Sequence, residues 1–238
     1  MPDSPGSTGS QAPSPGRTAL AEGWPLVLSA LVIGAPYGIV ARQAGLNLTE
    51  AIGMSLLVFA GSAQFAAVEL WRTGAGAPLV IVTVLLLNLR HLLMAAALRP
   101  FVAGEPLARR LGLAYLLTDE AFAMAIGWFR RGRREVRYYV VFGAALWLCW
   151  NVATVIGSLA GAGIAEPRRL GIDFAITASF VCIVLLGIRR AGDLLVAGAA
   201  VVAAAALSLA GASLVAVVVA GALAPLVVFG RRPPEGRA

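Results

Sequence analysis

An all-α, polytopic bundle of membrane-spanning helices is the fold class this sequence predicts, and three observations predict it. Of 238 residues, 59% are hydrophobic and 13% charged, and the mean hydropathy is +0.84, which leaves too little polar surface for a water-soluble body of this size. The apolar residues come in runs of about 20, the length at which a helix rising about 1.5 Å per residue crosses a hydrocarbon core about 30 Å thick. The charged residues gather between those runs. A net charge of +7 and a pI near 10.6 raise nucleic acid as a partner. The basic residues form no continuous face and lack interleaved aromatics, so no nucleic acid is expected and we read them as anchors of cytoplasmic loops.

Eight runs qualify as spans: 24–41, 50–71, 78–98, 111–129, 138–163, 170–188, 194–210 and 212–229. Only excess length and a break between Ser208 and Ser213 divide the last two, so seven spans is the alternative count. The first run carries Gly34-Ala35-Pro36-Tyr37-Gly38. Proline removes a backbone donor there and glycine tolerates irregular torsions, so the span is expected to break, with a proline kink as the alternative. Residues 1–22 are rich in Ser, Pro, Gly and Thr, lack the apolar core of a signal peptide, and read as a disordered cytoplasmic tail. Residues 231–238 read as a shorter tail, and 23–230 as one transmembrane domain, because no loop resembles a linker.

With eight spans and the N-terminus inside, twelve arginines, Arg72 among them, fall on the cytoplasmic side. Six, including Arg42, Arg99, Arg109 and Arg110, fall outside. The positive-inside rule favours that orientation. Cys149 and Cys182 lie within apolar runs and read as small apolar side chains rather than a disulfide or metal pair.

All 19 basic residues are arginines, and a guanidinium keeps its proton in proteins. Arg90 is therefore charged inside an apolar run, where a charge at the bilayer centre costs roughly 2.5 to 3.5 kcal/mol on insertion scales. It lies eight residues from the end of the third run, and Asp119 eight residues from the start of the fourth. Both then sit about 12 Å deep, so Asp119 or Glu120 is the expected partner. The two carboxylates are adjacent and point apart, and whichever misses Arg90 is left to face a cavity and titrate.

At about 100° per residue, Asn88 and His91 share a face while Arg90 points about 160° from their mean, so they are expected to meet different neighbours. His91 is the only histidine, and either packs as a hydrogen-bonded side chain or carries a proton. Gly61 and Gln64 share a face of the second run, with Ser62 between them. Asn151 in the fifth run and Asp173 in the sixth extend the polar inventory.

Three segments in order, Phe59-Ala60-Gly61-Ser62-Ala63-Gln64-Phe65-Ala66-Ala67, Asn88-Leu89-Arg90-His91-Leu92-Leu93 and Leu117-Thr118-Asp119-Glu120-Ala121-Phe122-Ala123, resemble the AzlC family of branched-chain amino acid transport proteins. The segment from Gly34 to Gly38 resembles that family's opening motif, and Asp173-Phe174-Ala175 a later one. The resemblance covers roughly residues 23 to 190, with Met94 a mild departure where tyrosine is common.

It implies the large subunit of a two-component secondary transporter in the inner (plasma) membrane. Such a protein exports valine, leucine, isoleucine and sometimes methionine, with proton coupling as one option, beside a small hydrophobic AzlD-type partner. On that reading Gly34, Pro36, Tyr37, Gly38, Gly61, Ser62, Gln64 and Asn88 contact the amino acid, since broken spans expose half-helix ends that suit a zwitterion. Arg90, His91, Asp119, Glu120, Asn151 and Asp173 form the coupling network.

Two other readings compete. The chain is a non-transporting scaffold whose charge pairs only hold helices in register, or it is a passive small-solute channel. There is no metal-ligand spacing, nucleophile elbow or cofactor loop, so no enzyme activity, metal or cofactor is expected.

Overall fold

The computed structural model describes residues 14–163 and a few helical positions between 194 and 209. Asp173, Cys182, the sixth and eighth expected spans, part of the seventh, and the tail at 231–238 lie outside the described residues. Within residues 14–163 eight helices follow in order: α1 (Pro15–Gln43), α2 (Leu48–Val58), α3 (Gly61–Arg72), α4 (Ala77–Asn88), α5 (Arg90–Val102), α6 (Leu107–Tyr115), α7 (Asp119–Arg130) and α8 (Arg137–Ala162). Among the described residues, three helices are long and apolar enough to cross a membrane: α1, α8, and the rod Ala77–Val102 made of α4 and α5. The rod has one tightened turn, where the Leu89 amide donates to the Leu86 carbonyl and the Leu92 amide to the Leu89 carbonyl. Leu57, Leu85, Leu92, Leu107 and Leu111 point outward as exposed apolar side chains, a surface suited to lipid.

α1 and α8 run parallel and close together. A Cβ on Gly34 would meet the Trp150 carbonyl, one on Gly38 the Thr154 carbonyl and Ser158 amide, and one on Gly161 the Ile39 backbone. Gly157 in return has room only for its hydrogen against the Ala35 carbonyl. Small residues let two backbones approach where no hydrophobic effect drives helices together. This packing overturns the expected break in the first span, because α1 continues through Pro36 without interruption. The glycines beside Pro36 serve contact with α8 rather than irregular torsions, and α8 braces both sides of the missing hydrogen bond.

The helix also starts earlier than the expected tail boundary at residue 22. Pro15 opens it, in the first turn where its absent N–H costs nothing. Ala19 is fully buried, and Glu22 accepts hydrogen bonds from Arg131 (2.8 Å) and Tyr138 (2.7 Å). That clasp gives residues 15–22 a folded partner, and the Glu22 carboxylate holds the Arg131 guanidinium above its ordinary range.

The second and fourth apolar runs are not crossings but hairpins. In a straight helix Glu50 and Trp71 would stand about 30 Å apart. Instead both line one cavity with Met54, Val68 and Val80, and Tyr37 reaches both the Ala51 carbonyl (3.5 Å) and the Phe65 ring (5.7 Å). α2 therefore enters from the side where α1 ends, turns at Phe59 and Ala60, and returns as α3. The torsions of Phe59 (φ 19°, ψ 51°) and Ala60 (φ −147°, ψ 95°) make the turn.

α6 and α7 do the same from the other side. The end of α5 touches both arms, with Val102 beside Leu107 and the Phe101 ring stacked on Phe129 at 4.8 Å. Likewise Tyr139 donates to the Leu113 carbonyl at 2.7 Å while Tyr138 stacks on Trp128 at 4.2 Å. Span counting by length could not see this, because a hairpin with two short arms has the same apolar length as one crossing.

The corrected topology moves charges across the membrane. Among the described residues Arg17, Arg99, Arg109, Arg110, Arg130, Arg131, Arg133, Arg134 and Arg137 lie on the side of the α1 N-terminus. Only Arg42 and Arg72 lie on the other, with Arg90 at mid-depth. Arg72, Arg99, Arg109 and Arg110 thus change sides relative to the eight-span reading, and the bias becomes steeper.

Candidate functional site

The tips of the two hairpins meet at mid-depth. Tyr115, at the end of α6, donates to the Leu56 carbonyl at the end of α2 (2.6 Å), faces the Phe59 ring at 6.3 Å, and accepts from the Trp147 indole (2.8 Å). Beside this contact is a cavity of about 90 Å³ lined by Phe59, Ala60, Gly61 and Ser62 from one tip and Thr118, Asp119 and Glu120 from the other. Arg90 and His91 border it from the rod, Ser29, Ala30 and Ile33 from α1, and Leu146 and Trp150 from α8. Space on that scale holds several waters when its walls are polar.

Each tip begins a helix. α3 starts at Gly61 with no side-chain cap on its first amides, and α7 starts at Asp119 with Thr118 as its cap, whose Oγ1 accepts from the Ala121 amide at 3.2 Å. Asp119 and Glu120 occupy the first turn of α7, where negative charge is favoured by the helix dipole. Thr118→Ala is expected to cost about 1 kcal/mol, the usual value of such a cap, and to fray that turn. Faster amide hydrogen exchange confined to 119–122 would show it, and unchanged exchange would contradict it.

Arg90 joins the tips. Its Nη1 lies 2.7 Å from Asp119 Oδ2, and its Nη2 donates to Ser62 Oγ at 2.8 Å. The expected pair forms, though for a different reason than equal depth in neighbouring spans. Arg90 sits halfway along a full crossing, and a hairpin tip brings Asp119 to meet it. Glu120 makes no hydrogen bond or ion pair among the described residues and is half-buried at the cavity wall. His91 and Arg90 do meet different partners, since His91 Nδ1 lies 3.1 Å from the Asn88 carbonyl, yet both border the one cavity.

The remaining sequence candidates separate into those near the cavity and those used elsewhere. Gly61, Ser62, Arg90, His91, Asp119 and Glu120 line it. Gly34 and Gly38 face α8, Pro36 lies within α1, and Tyr37 is fully buried between the Phe65 and Trp150 rings. Gln64 is fully buried on α3, with Tyr37 as its side-chain neighbour. Asn88 is a turn before His91, and its side-chain oxygen has no hydrogen-bond partner among the described residues. Asn151 accepts from Ser55 (2.9 Å) and donates to the Trp147 carbonyl (2.9 Å), tying α2 to α8 away from the cavity.

The sequence reading missed Ser29, Ile33, Phe59, Leu146 and Trp150, which resemble any other residues of an apolar run. It also missed the hairpins, for which there was a signal. Thr118 followed by two acidic residues is a helix start, and Phe65-Ala66 with Trp71 recurs as Phe122-Ala123 with Trp128 at the same spacing.

A family model described as AzlC protein matches residues 25–164. The chain belongs to the AzlC family. This AzlC-family chain is 28% identical over 199 residues, 79% of its length and 81% of the relative's, to the inner membrane protein YgaZ of Escherichia coli K12. It is 27% identical over 169 residues, 70% of its length and 65% of the relative's, to the branched-chain amino acid transport protein AzlC of Bacillus subtilis. An uncharacterized membrane protein of Archaeoglobus fulgidus is 27% identical over 73% of the chain and 76% of its own length. No solved structure matches. Membership places the chain among membrane transport proteins, and the matched span contains the rod, both hairpins and the whole cavity lining.

Proposed function

We propose that the protein exports branched-chain amino acids as the large subunit of a two-component secondary transporter in the inner (plasma) membrane, beside a small AzlD-type subunit. The observation that carries this reading is the cavity between the hairpin tips, which offers each part of an apolar zwitterion a matching wall. Arg90 and the uncapped start of α3 suit a carboxylate, Glu120 suits an ammonium, and Ile33, Phe59, Leu146 and Trp150 suit an aliphatic side chain. The relative from Bacillus subtilis carries branched-chain amino acid transport in its name, which supports the same substrate. Among the described residues, nine arginines against two favour a cytoplasmic N-terminus. Glu120 and His91, at the cavity wall, are the groups we assign to proton coupling.

The test is labelled-valine flux in proteoliposomes holding the purified chain, with and without the co-expressed small subunit, under an imposed proton gradient. Uphill valine movement that collapses with the gradient is expected. Flux that only runs downhill would mean a channel, and no flux in either preparation from verified folded protein would mean a scaffold.

A further inference from the structure

We propose that Arg90 is an interlock between two gates: the α2–α3 hairpin closes the cavity toward one side of the membrane, the α6–α7 hairpin closes it toward the other, and the guanidinium holds both tips. The frame for such motion is on hand. α1 and α8 are joined backbone to backbone by Gly34, Gly38, Gly157 and Gly161 and cannot slide without collision. The hairpins are mounted on this frame less tightly. A cavity of about 220 Å³ lies between the outer parts of α2 and α3, and one of about 350 Å³ between α6 and the end of α5. Each hairpin therefore has apolar space beside it, on its own side of the membrane.

At the tips the arrangement reverses: besides the Tyr115 hydrogen bond to the Leu56 carbonyl, which joins them directly, polar bonds from both tips converge on one side chain. Arg90 donates through Nη2 to Ser62 on the first tip and pairs through Nη1 with Asp119 on the second. Among the described residues no other ion pair reaches either tip. Arg90 itself sits on neither hairpin but on the rod between them, so it can release one tip while keeping the other. A planar guanidinium with separate donors is suited to this, whereas a lysine ammonium would have to share one point charge. Arg90 is thus a positioning residue that keeps a transporter from opening to both sides at once. This inference rests on the reading of the cavity as part of a solute path, but not on which solute travels it.

The experiment uses side-specific thiol labelling of the full chain in membrane vesicles of both orientations, with Cys149→Ala, Cys182→Ala and the reporter Ser29→Cys in the cavity wall. A membrane-impermeant maleimide is applied without any amino acid present. Asp119→Asn releases the α6–α7 tip and should raise labelling from the side of the α1 N-terminus by about ten-fold, the scale of an ordinary coupling free energy, with little change from the other side. Ser62→Ala releases the α2–α3 tip and should give the opposite asymmetry, and Asp119→Glu should return labelling to the parent level. Equal increases from both sides, or none in either variant, would overturn the interlock. If Asp119→Asn proves aggregated by size exclusion, the Ser62→Ala asymmetry decides alone. Because labelling needs no solute, a chain that failed to carry valine would refute the substrate and leave this result standing.

Discussion

Gly157→Val is expected to abolish the folded protein, seen as loss of the monodisperse peak in detergent. The site gives no way out, since an added Cβ would collide with the Ala35 carbonyl and the backbone around it. Overpacking that neighbouring side chains can absorb costs about 1 to 3 kcal/mol, but backbone cannot rotate away, so α1 and α8 must separate. The separation would run the length of the interface, because Gly34, Gly38 and Gly161 depend on the same approach. Gly53→Ala in α2 is the matched control. Nothing lies within 4 Å of its added Cβ, so the change should leave the fold intact and raise the thermal midpoint, as replacing a helical glycine gains about 0.5 to 1 kcal/mol. If both variants behaved alike, the close parallel packing of α1 and α8 would be wrong.

Arg90→Ala should eliminate flux with almost no change in thermal midpoint, and the contrast is what separates a transporter from a scaffold. The side chains of Arg90 and Asp119 are 39% and 52% exposed and border the cavity, so water filling that cavity screens them and the pair then contributes under about 1 kcal/mol to stability. Removing the arginine leaves Asp119 and Glu120 side by side in the first turn of α7 with no cation beside them, which repels a substrate carboxylate and removes the guanidinium's bonds to both tips. The double variant Arg90→Ala, Asp119→Ala removes the excess charge but restores neither link, so its flux should stay at the level of protein-free liposomes. A midpoint that fell steeply in Arg90→Ala and recovered in the double variant, with flux recovering in parallel, would establish the pair as scaffold only.

Much of the site was legible along the chain because charge in an apolar run is costly and therefore conspicuous. Arg90, His91, Asp119 and Glu120 stood out for that reason, and they are what the cavity brings together. The apolar wall had no such mark. Trp150 and Ile33 have neighbours of the same character, and only packing shows which of them face the cavity. Gly34 and Gly38 were misread in an instructive way. A glycine beside a proline signals either a broken backbone or a close neighbour, and choosing between them requires knowing that α8 lies alongside.

The sequence by itself determined that this chain is a helical membrane protein of the AzlC type and that an arginine and a carboxylate must meet within it. Hydrophobic length and the cost of an unpaired charge act residue by residue, so they are written in one dimension. Tertiary structure alone decided which apolar segments cross and which double back, on which side Arg72, Arg99, Arg109 and Arg110 lie, and that two hairpin tips share one guanidinium. Those are outcomes of helix-on-helix contact between residues far apart in the chain, such as Tyr115 with Leu56 and Gly157 with Ala35. No local pattern encodes which distant surface a helix will find.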